Sequence, residues 1–222
     1  MTLATPGPAV LADAPRRSRG RPRKAADALD EGNRRQELLR AAARLFRQQG
    51  YAATATRDIA SAAGMRSGSP FYHFESKQAL LAAVMLEGMQ RALRHQMSLE
   101  VVPDATAAER LRGLVRAHFD VLLGPDSDFI PVMLYEWRSL TPAQRAEVNA
   151  LRQRYEAAWV PVLQALQASG VLRGDPSLAR LMIFGALNWS VQWYDARGGG
   201  ASLDDLTRTA LQLFLHDPVV SP

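Results

Sequence analysis

The chain has 222 residues, no cysteine and a formal net charge of +5, from 27 Lys and Arg against 22 Asp and Glu. This length can bury a substantial core in one or two domains. The lack of cysteine excludes disulfides and thiolate metal sites and is typical of a cytoplasmic protein. No apolar run reaches the roughly 18–20 residues that span a bilayer, and the N-terminal residues lack the order of a signal peptide, in which basic residues precede the apolar stretch.

The positive charge is concentrated at one end of the chain. Residues 1–80 contain 14 Lys and Arg and 7 Asp and Glu, a net charge of +7, whereas residues 81–222 contain 13 and 15, a net charge of −2. A basic module joined to a near-neutral body is typical of a protein that binds nucleic acid phosphates. The alternative, a solvated basic surface, does not explain why the charge is asymmetric.

Residues 1–30 are rich in Ala, Pro, Gly and Arg and have no apolar periodicity, which predicts a disordered arm. Residues 16–24, RRSRGRPRK, carry six positive charges and no negative charge. The segment Gly20-Arg21-Pro22-Arg23 resembles the core of an AT-hook, in which arginines lie in a narrow A·T minor groove. The alternative is a solvated basic tail. We favour a DNA-contacting arm because the segment joins directly to residues 33–77, whose pattern predicts a helix-turn-helix motif.

That motif starts with an amphipathic helix between Asn33 and Gly50. Its apolar residues follow the i, i+3, i+4, i+7, i+8 spacing of one helix face: Leu38, Ala41, Ala42, Leu45 and Phe46. Thr54 or Thr56 is predicted to cap a second helix that ends near Ala63, before Gly64. A third segment with Ser67 as its N-cap follows. Two short helices joined by a glycine-containing turn form a helix-turn-helix, whose second helix can enter the major groove.

Residues 54–77, TATRDIASAAGMRSGSPFYHFESK, resemble the tetracycline-repressor-like (TetR) family of transcriptional regulators. The similarity covers roughly residues 33–80, and its matching positions are Arg57-Asp58-Ile59-Ala60, Ala63-Gly64, Gly68, His73, Phe74 and Ser76-Lys77. The resemblance implies a three-helix helix-turn-helix domain over residues 31–77, after the arm at 1–30. It also implies a helical ligand-binding and dimerisation domain over residues 78–222.

The resemblance further implies which residues bind DNA: Thr56, Arg57, Arg66, Ser67, Ser69, Tyr72, His73 and Lys77. Arg66 suits a guanine, whose O6 and N7 match its forked donors, and suits a phosphate equally well. His73 could instead be a capping histidine. Lys77 is assigned to a phosphate at the start of the next helix. The sequence departs from the family pattern at Arg66, Pro70 and Phe71, and Tyr72 can supply the phosphate-binding hydroxyl that Phe71 lacks.

The rest of the chain predicts further helices that begin at recognisable caps. These are Ser76 to about Glu100, Thr106 with Glu109 to about Leu123, a helix from about residue 126 through Trp137, Thr141-Pro142 to Ser169, Asp175-Pro176 to about Ala196, and Ser202 to Leu215. Pro161 is expected to kink the helix in which it lies. No convincing strand or repeat is present. The fold class is therefore all-α, with about nine helices.

An aromatic face near the C-terminus suits a binding site for an apolar molecule. Gly185, Trp189 and Trp193 share one helix face, and Asn188 and Gln192 lie beside them in a very apolar segment. A buried amide needs a hydrogen-bonding partner, as in an apolar pocket with a few orienting polar groups. A subunit interface explains the same pattern equally well.

Residues 134–140, LYEWRSL, and 184–194 resemble TetR-family members that respond to coenzyme A thioesters. That resemblance implies a long apolar pocket with arginines at its mouth, formed by Trp137, Arg138, Asn188, Trp189, Gln192 and Trp193. Arg180 is a weaker candidate, and both arginines could be surface ion-pair residues. The resemblance also places a homodimer interface on the last two helices, about 176–196 and 203–215.

These features predict a transcriptional repressor that binds a pseudo-palindromic operator as a homodimer and is released by a small molecule such as an acyl-CoA thioester. An activator or a DNA binder that needs no ligand is the alternative. The sequence has no glycine-rich phosphate loop, no cysteine nucleophile and no metal-ligand spacing, and its four histidines are scattered. We therefore expect no enzyme activity, catalytic residue, metal or cofactor.

Overall fold

The computed structural model describes residues 24–65, 73–99, 103–125, 127–195 and 200–216. Within these residues the chain forms nine α-helices, two short 3-10 turns and no strand, which confirms the all-α prediction. The helices are α1 (Lys24–Gln49), α2 (Thr56–Ala62), α3 (Lys77–Met97), α4 (Ala107–Leu123), α5 (Phe129–Glu136), α6 (Pro142–Ala157), α7 (Trp159–Ala168), α8 (Pro176–Trp189) and α9 (Leu203–Phe214). None of the described helices is both long and apolar enough to cross a membrane.

The helices α1 and α2 form the N-terminal end of the molecule together with the start of α3. The apolar face of α1, with Leu38 and Phe46 fully buried, packs against Ile59 of α2. Helix α1 begins at Lys24, ahead of the apolar periodicity that starts near Asn33. Gly50 follows its last residue in the left-handed region, with φ of 80°, as expected for a glycine that ends a helix.

The predicted side-chain cap of α2 is wrong. Ala55 occupies the N-cap position and offers no side-chain acceptor. Thr54 instead donates its hydroxyl to the backbone carbonyl of Gly50 at 2.7 Å, back across the turn that joins α1 to α2. A threonine between a turn and a helix can bond either to the turn's backbone or to the first N–H groups of the helix. Thr54 bonds to the turn.

Helix α3 joins the two ends of the molecule. One hydrophobic cluster runs from Leu38 of α1 through Leu80 and Met85 of α3 to Val148 and Tyr155 of α6. The predicted domain boundary after residue 77 therefore falls at the first turn of a helix that contributes to a shared core.

A second hydrophobic cluster lies farther from the N-terminal end. It is formed by α4, α7, α8 and α9 around the fully buried Trp159. His118 of α4 is buried beside this cluster. The rings of Tyr155 and Phe184 contact its imidazole ring.

Most of the predicted helix starts are confirmed by their hydrogen bonds. Thr106, Thr141 and Ser202 each form a capping box, while Ser76 and Asp175 accept backbone N–H groups at the starts of α3 and α8. These caps are local in sequence, which is why the sequence alone identified them.

Two predicted helix ends differ in the structure. The helix that contains Pro161 breaks after Ala157, because the proline ring clashes with the carbonyl four residues before it and removes one hydrogen bond. Helix α8 was expected to reach Ala196. It ends at Trp189 and is followed by a 3-10 turn over residues 190–192, in which the Ser190 hydroxyl donates to the Leu187 carbonyl at 2.6 Å.

Candidate functional site

The N-terminal end carries four of the eight residues predicted to bind DNA, namely Thr56, Arg57, His73 and Lys77. The other four, Arg66, Ser67, Ser69 and Tyr72, lie outside the described residues, as do Pro70 and Phe71. Thr56 and Arg57 form the first turn of α2, and burial of Ile59 and Ala60 fixes the opposite face of that helix. The Arg57 side chain is 83% exposed, and its only ion pair in the described residues is a 3.5 Å contact with Asp58. Its guanidinium is therefore available to an anionic partner.

His73 and Phe74 lie just before α3. His73 is half-buried, whereas Phe74 is buried in the core. The guanidinium of Arg35 lies 5.1 Å from the centre of the Phe74 ring, which ties α1 to this segment. The segment that precedes α3 is thus held against α1.

Lys77 does not point away from the protein. Its Nζ donates to the carbonyls of Tyr51 at 2.7 Å, Thr54 at 2.9 Å and Ala52 at 3.3 Å. It also lies 4.4 Å from the centre of the Tyr51 ring. Because an ammonium has three donors, these carbonyls use its full hydrogen-bonding capacity.

The turn between α1 and α2 also receives a residue from α5. The backbone N–H of Tyr51 donates to Oε1 of Glu136 at 2.8 Å, and the Ser139 hydroxyl donates to Oε2 of the same carboxylate at 3.2 Å. Gly50 has a positive φ of 80°, which favours glycine, and a Cβ at this position would be in ordinary van der Waals contact with Oε1, at 3.4 Å. Burial and then the Glu136 carboxylate raise the pKa of Tyr51. Glu136 lies in the segment LYEWRSL, but no pattern in the sequence indicates this contact.

Two further polar contacts join the N-terminal end to the segment around α5. Arg47 donates to Oδ1 of Asp128 at 3.0 Å, and Gln78 donates its side-chain amide to the backbone carbonyl of Ser139 at 2.9 Å. Residues 127–139 therefore contact the end of α1, the following turn and the start of α3. No sequence pattern predicted these pairs, whose members are 61 to 85 positions apart.

The predicted effector residues at α5 lie on the surface or close to it. Trp137 is half-buried, and the guanidinium of Arg152 lies 5.7 Å from the centre of its ring. Arg138 is exposed. Arg180 forms an ion pair with Glu156, which is the alternative that the sequence left open for it.

Asn188 is part of a buried polar network. His118 lies between Asn188 and Tyr155, with Nε2 at 3.1 Å from the Asn188 Oδ1 atom and Nδ1 at 3.1 Å from the Tyr155 hydroxyl. Because an amide oxygen only accepts, Nε2 carries the proton, and the Tyr155 hydroxyl donates to Nδ1. Burial lowers the pKa of His118 to about 4, although the bond to Asn188 partly opposes the shift.

His118 was not singled out by the sequence analysis. The spacing of apolar residues could have identified it as a buried residue. His118 follows Leu111 and Leu114 and precedes Leu122 at helical spacing, on the buried face of α4. Asn188 thus has the partner that a buried amide requires, and that partner is a core histidine.

The remaining predicted effector residues do not take part in this buried network. Gln192 is exposed and donates its side-chain amide to the Tyr135 hydroxyl at 2.7 Å, which joins the end of α8 to α5. Trp189 and Trp193 are 65% and 58% exposed. The six residues therefore cluster around the ends of α5 and α8, but they do not line one enclosed cavity.

Trp189 and Trp193 extend an apolar stripe on α8. The stripe consists of Leu178, Leu181, Met182, Gly185 and Trp189, which are exposed at the spacing of one helix face, and of Trp193, which is exposed just after the 3-10 turn that follows α8. On α9, Leu213 is 70% exposed. Exposed apolar residues in single positions are ordinary, but a continuous stripe marks an interaction surface.

Two clefts lie elsewhere in the helical body. The larger, of about 670 Å³, lies between the end of α3, the start of α4 and the α6–α7 junction, with Met97, Arg110 and Leu114 among its lining residues. The smaller, of about 280 Å³, lies between α3, α4 and α5, beside Arg91, His95 and Phe129. None of the six predicted effector residues lines either cleft. Over the described ranges, no group of His, Asp or Glu residues is arranged to hold a metal ion.

Comparisons with known proteins match both ends of the chain. Residues 38–84 match the family model described as bacterial regulatory proteins, tetR family, and residues 104–217 match the tetracyclin repressor-like C-terminal domain. The HTH-type transcriptional repressor KstR2 of Rhodococcus jostii is 31% identical over 206 residues, which cover 90% of this chain and 98% of that protein.

Two solved structures show the same fold. The structure of AibR in complex with isovaleryl coenzyme A and operator DNA has a TM-score of 0.73 and 25% identity, and the match covers 82% of this chain and 97% of AibR. The superantigen PfiT has a TM-score of 0.67 and 38% identity, over 82% of this chain and 96% of PfiT. Proteins of this fold thus have different described activities, so the fold alone does not define the function.

Proposed function

The chain belongs to the TetR family of transcriptional regulators, and from this we propose that it is a repressor that binds a pseudo-palindromic operator as a homodimer and is released by a small molecule. The observation that supports this most directly is that the two family models match consecutive parts of the chain, 38–84 and 104–217. A helix-turn-helix part and an effector part are therefore both present. The matched relatives are described as regulators, not as enzymes. A regulator that binds bacterial DNA acts in the cytoplasm.

DNA is bound by the helix-turn-helix at the N-terminal end. We assign DNA contacts to Thr56, Arg57, Arg66, Ser67, Ser69, Tyr72 and His73, and place Lys77 in the same end of the molecule. The exposed Arg57 supports this assignment, as does the net charge of +7 over residues 1–80. In this division residues 1–30 are the basic arm, 31–77 the DNA-binding domain and 78–222 the domain for ligand and dimer; α1 begins at Lys24, so the last residues of the arm are helical.

The homodimer forms through α8 and α9. The apolar stripe on α8 and the exposed Leu213 on α9 support this surface, because burying them against a second copy removes apolar area from water. A dimer places two recognition segments on one DNA molecule. Both dock when the half-sites lie about 34–36 Å apart, one helical turn, or a multiple of that distance.

The effector is an acyl-CoA thioester or a similar amphipathic anion. AibR, which has the same fold, is described in complex with isovaleryl coenzyme A. The binding residues that we propose are Trp137, Arg138, Asn188, Trp189, Gln192 and Trp193. The hydrogen bond between Gln192 and Tyr135, which joins the turn after α8 to α5, supports a shared site at these two helix ends. Release follows if the ligand binds the DNA-incompetent arrangement more tightly.

A selection from randomised duplexes followed by effector titration tests the function. We expect enrichment of a pseudo-palindrome, and Arg66→Ala should relax the preference at one base pair by about 1–3 kcal/mol if Arg66 contacts guanine. Isovaleryl coenzyme A should then change tryptophan fluorescence and release the DNA, whereas free coenzyme A, which lacks the acyl group, should do so much less. No enriched sequence contradicts DNA recognition, and survival of the complex at millimolar thioester contradicts the effector class.

A further inference from the structure

The turn between α1 and α2, residues 50–54, is held from two sides by charged groups. On one side the ammonium of Lys77, at the start of α3, binds the carbonyls of residues 51, 52 and 54. On the other side the carboxylate of Glu136, at the end of α5, accepts the N–H of Tyr51. The Thr54 hydroxyl closes the turn internally on the Gly50 carbonyl. This turn leads directly into Thr56 and Arg57.

The Lys77 contacts differ from those of a phosphate-binding lysine. A lysine that neutralises a phosphate has an ammonium exposed to solvent, with donors free for the anion. Here two of the three carbonyls lie within 2.9 Å, and the ammonium also faces the Tyr51 ring. Moving Lys77 to a phosphate would leave these carbonyls without their donor and free the turn.

The Glu136 contact has the opposite polarity and comes from the other half of the chain. The N–H of Tyr51 is partly buried, so its loss of an acceptor would leave an unsatisfied donor. Ser139 holds the second carboxylate oxygen, which fixes the orientation of Glu136. Gly50, with its positive φ, starts the turn beside that carboxylate.

We infer that Lys77 and Glu136 are positioning residues for DNA recognition, which fix the 50–54 turn and so the first turn of α2, and that Lys77 acts through the turn's carbonyls and not by neutralising a phosphate. The inference rests on the proposed DNA-binding function. It assigns a role to Glu136 and changes the role that the sequence assigned to Lys77.

The salt dependence of operator binding separates the two roles of Lys77. Each neutralised phosphate contributes about 0.9 to the slope of log affinity against log salt. Lys77→Met should therefore lower the affinity about tenfold, as for the loss of hydrogen bonds to a charged group, with little change of slope. Arg57→Met, which removes the exposed arginine, should lower the slope by about 0.9. Arg173→Met removes an exposed positive charge remote from the turn and should change neither quantity.

Glu136 provides a second test that does not change the positive charge of the DNA-binding end. Glu136→Gln keeps an oxygen that can accept the Tyr51 N–H and should bind the operator nearly as the natural protein does. Glu136→Leu removes the acceptor and should lower the affinity about tenfold. Hydrogen exchange of the peptide over residues 50–55 should become faster in Glu136→Leu and in Lys77→Met, but not in Glu136→Gln or Arg57→Met.

These measurements have outcomes that overturn the inference. A decrease of the slope by about half a unit or more in Lys77→Met assigns the lysine to a phosphate. Natural affinity in Glu136→Leu, or unchanged exchange at residues 50–55 in both variants, removes the positioning role. If the natural protein binds no specific duplex, the proposed function itself fails, and the exchange data still report whether the two residues hold the turn.

Discussion

At the scale of single residues, His118 shows how burial changes the chemistry of a side chain. Its ring is enclosed by Tyr155, Trp159 and Phe184, and both ring nitrogens are hydrogen-bonded. Burial also raises the pKa of the Tyr155 hydroxyl, which therefore stays a donor to Nδ1. A proton on Nδ1 would require the Tyr155 hydroxyl to turn and accept, and it would place a charge in a buried site.

The depressed pKa of His118 predicts a loss of stability in mild acid. The histidine pKa is 6.5 in the unfolded chain and about 4 in the folded protein. Between these values the unfolded state binds more protons, so the free energy of unfolding decreases as the pH falls from 6.5 towards 4. The expected loss from this residue is about 2 kcal/mol between pH 7 and pH 5.

Denaturant unfolding at pH 7, 6 and 5 measures this contribution. His118→Leu should be less stable at pH 7, because Asn188 and Tyr155 lose their partner, but its stability should depend less on pH in this range. His95→Leu removes a more exposed histidine and is the matched control, which should keep the pH dependence of the natural protein. Equal pH dependence in His118→Leu and the natural protein would show that His118 does not cause it.

At the scale of helices, α9 has two faces that the sequence did not separate. Leu211 and Leu213 both lie on this helix, which the family resemblance places in the homodimer interface. Leu211 is half-buried and packs against the second hydrophobic cluster, whereas Leu213 is 70% exposed. The two residues therefore belong to the core and to the apolar surface, respectively.

The paired substitutions should have different consequences. Leu213→Glu should dissociate the dimer with little change in the unfolding midpoint of the monomer, since its side chain is exposed within one chain. Leu211→Glu should lower stability by about 2–5 kcal/mol, because it places a charge against a buried cluster. Light scattering and thermal unfolding measure the two effects. A dimeric Leu213→Glu protein would place the interface elsewhere.

Helix starts were predictable from sequence because capping depends on residues three positions apart. Thr106 with Glu109 and Ser202 with Asp205 show this, as each box is complete in the structure. A disturbance of the helix at Pro161 was also predictable, since proline disturbs the preceding turn, although the structure shows a break where a kink was predicted. By contrast, the acceptor for the Tyr51 N–H is 85 positions away, and nothing local marks Glu136 as that acceptor. The carbonyls that Lys77 binds are likewise 23 to 26 positions away, and no local pattern marks them as its partners.

At the scale of the whole molecule, the continuous core limits how the two ends can move. The cluster that includes Leu38, Met85 and Tyr155 joins α1, α3 and α6. The proposed effector region is connected to the DNA-binding end by packed helices and by the contacts of residues 127–139 with α1 and α3. The exposed stripe on α8 lies on a helix that packs against the second cluster.

The distribution of charge over the whole molecule predicts a role for the N-terminal arm. Residues 16–23 include five arginines and no acidic residue, and they precede α1 in the chain. These residues lie outside the described part of the structure, so the prediction rests on composition. Charges on an arm without a core can neutralise phosphates beside the operator, but they contribute little shape for recognition in the major groove.

Removing residues 1–23 while keeping all of α1 should therefore lower the affinity and leave the selected operator core unchanged. The slope of log affinity against log salt should become flatter by about 0.9 for each phosphate that the arm neutralises. Replacing the five arginines with glutamine in the full-length chain is the matched control, because it keeps the arm and removes its charge, and it should reproduce the flatter slope. If Gly20-Arg21-Pro22 lies in a narrow A·T minor groove, the affinity loss should also be larger for operators with A·T-rich flanks than for those with G·C-rich flanks. Identical slopes for the full-length and truncated proteins would show that the arm is a solvated tail.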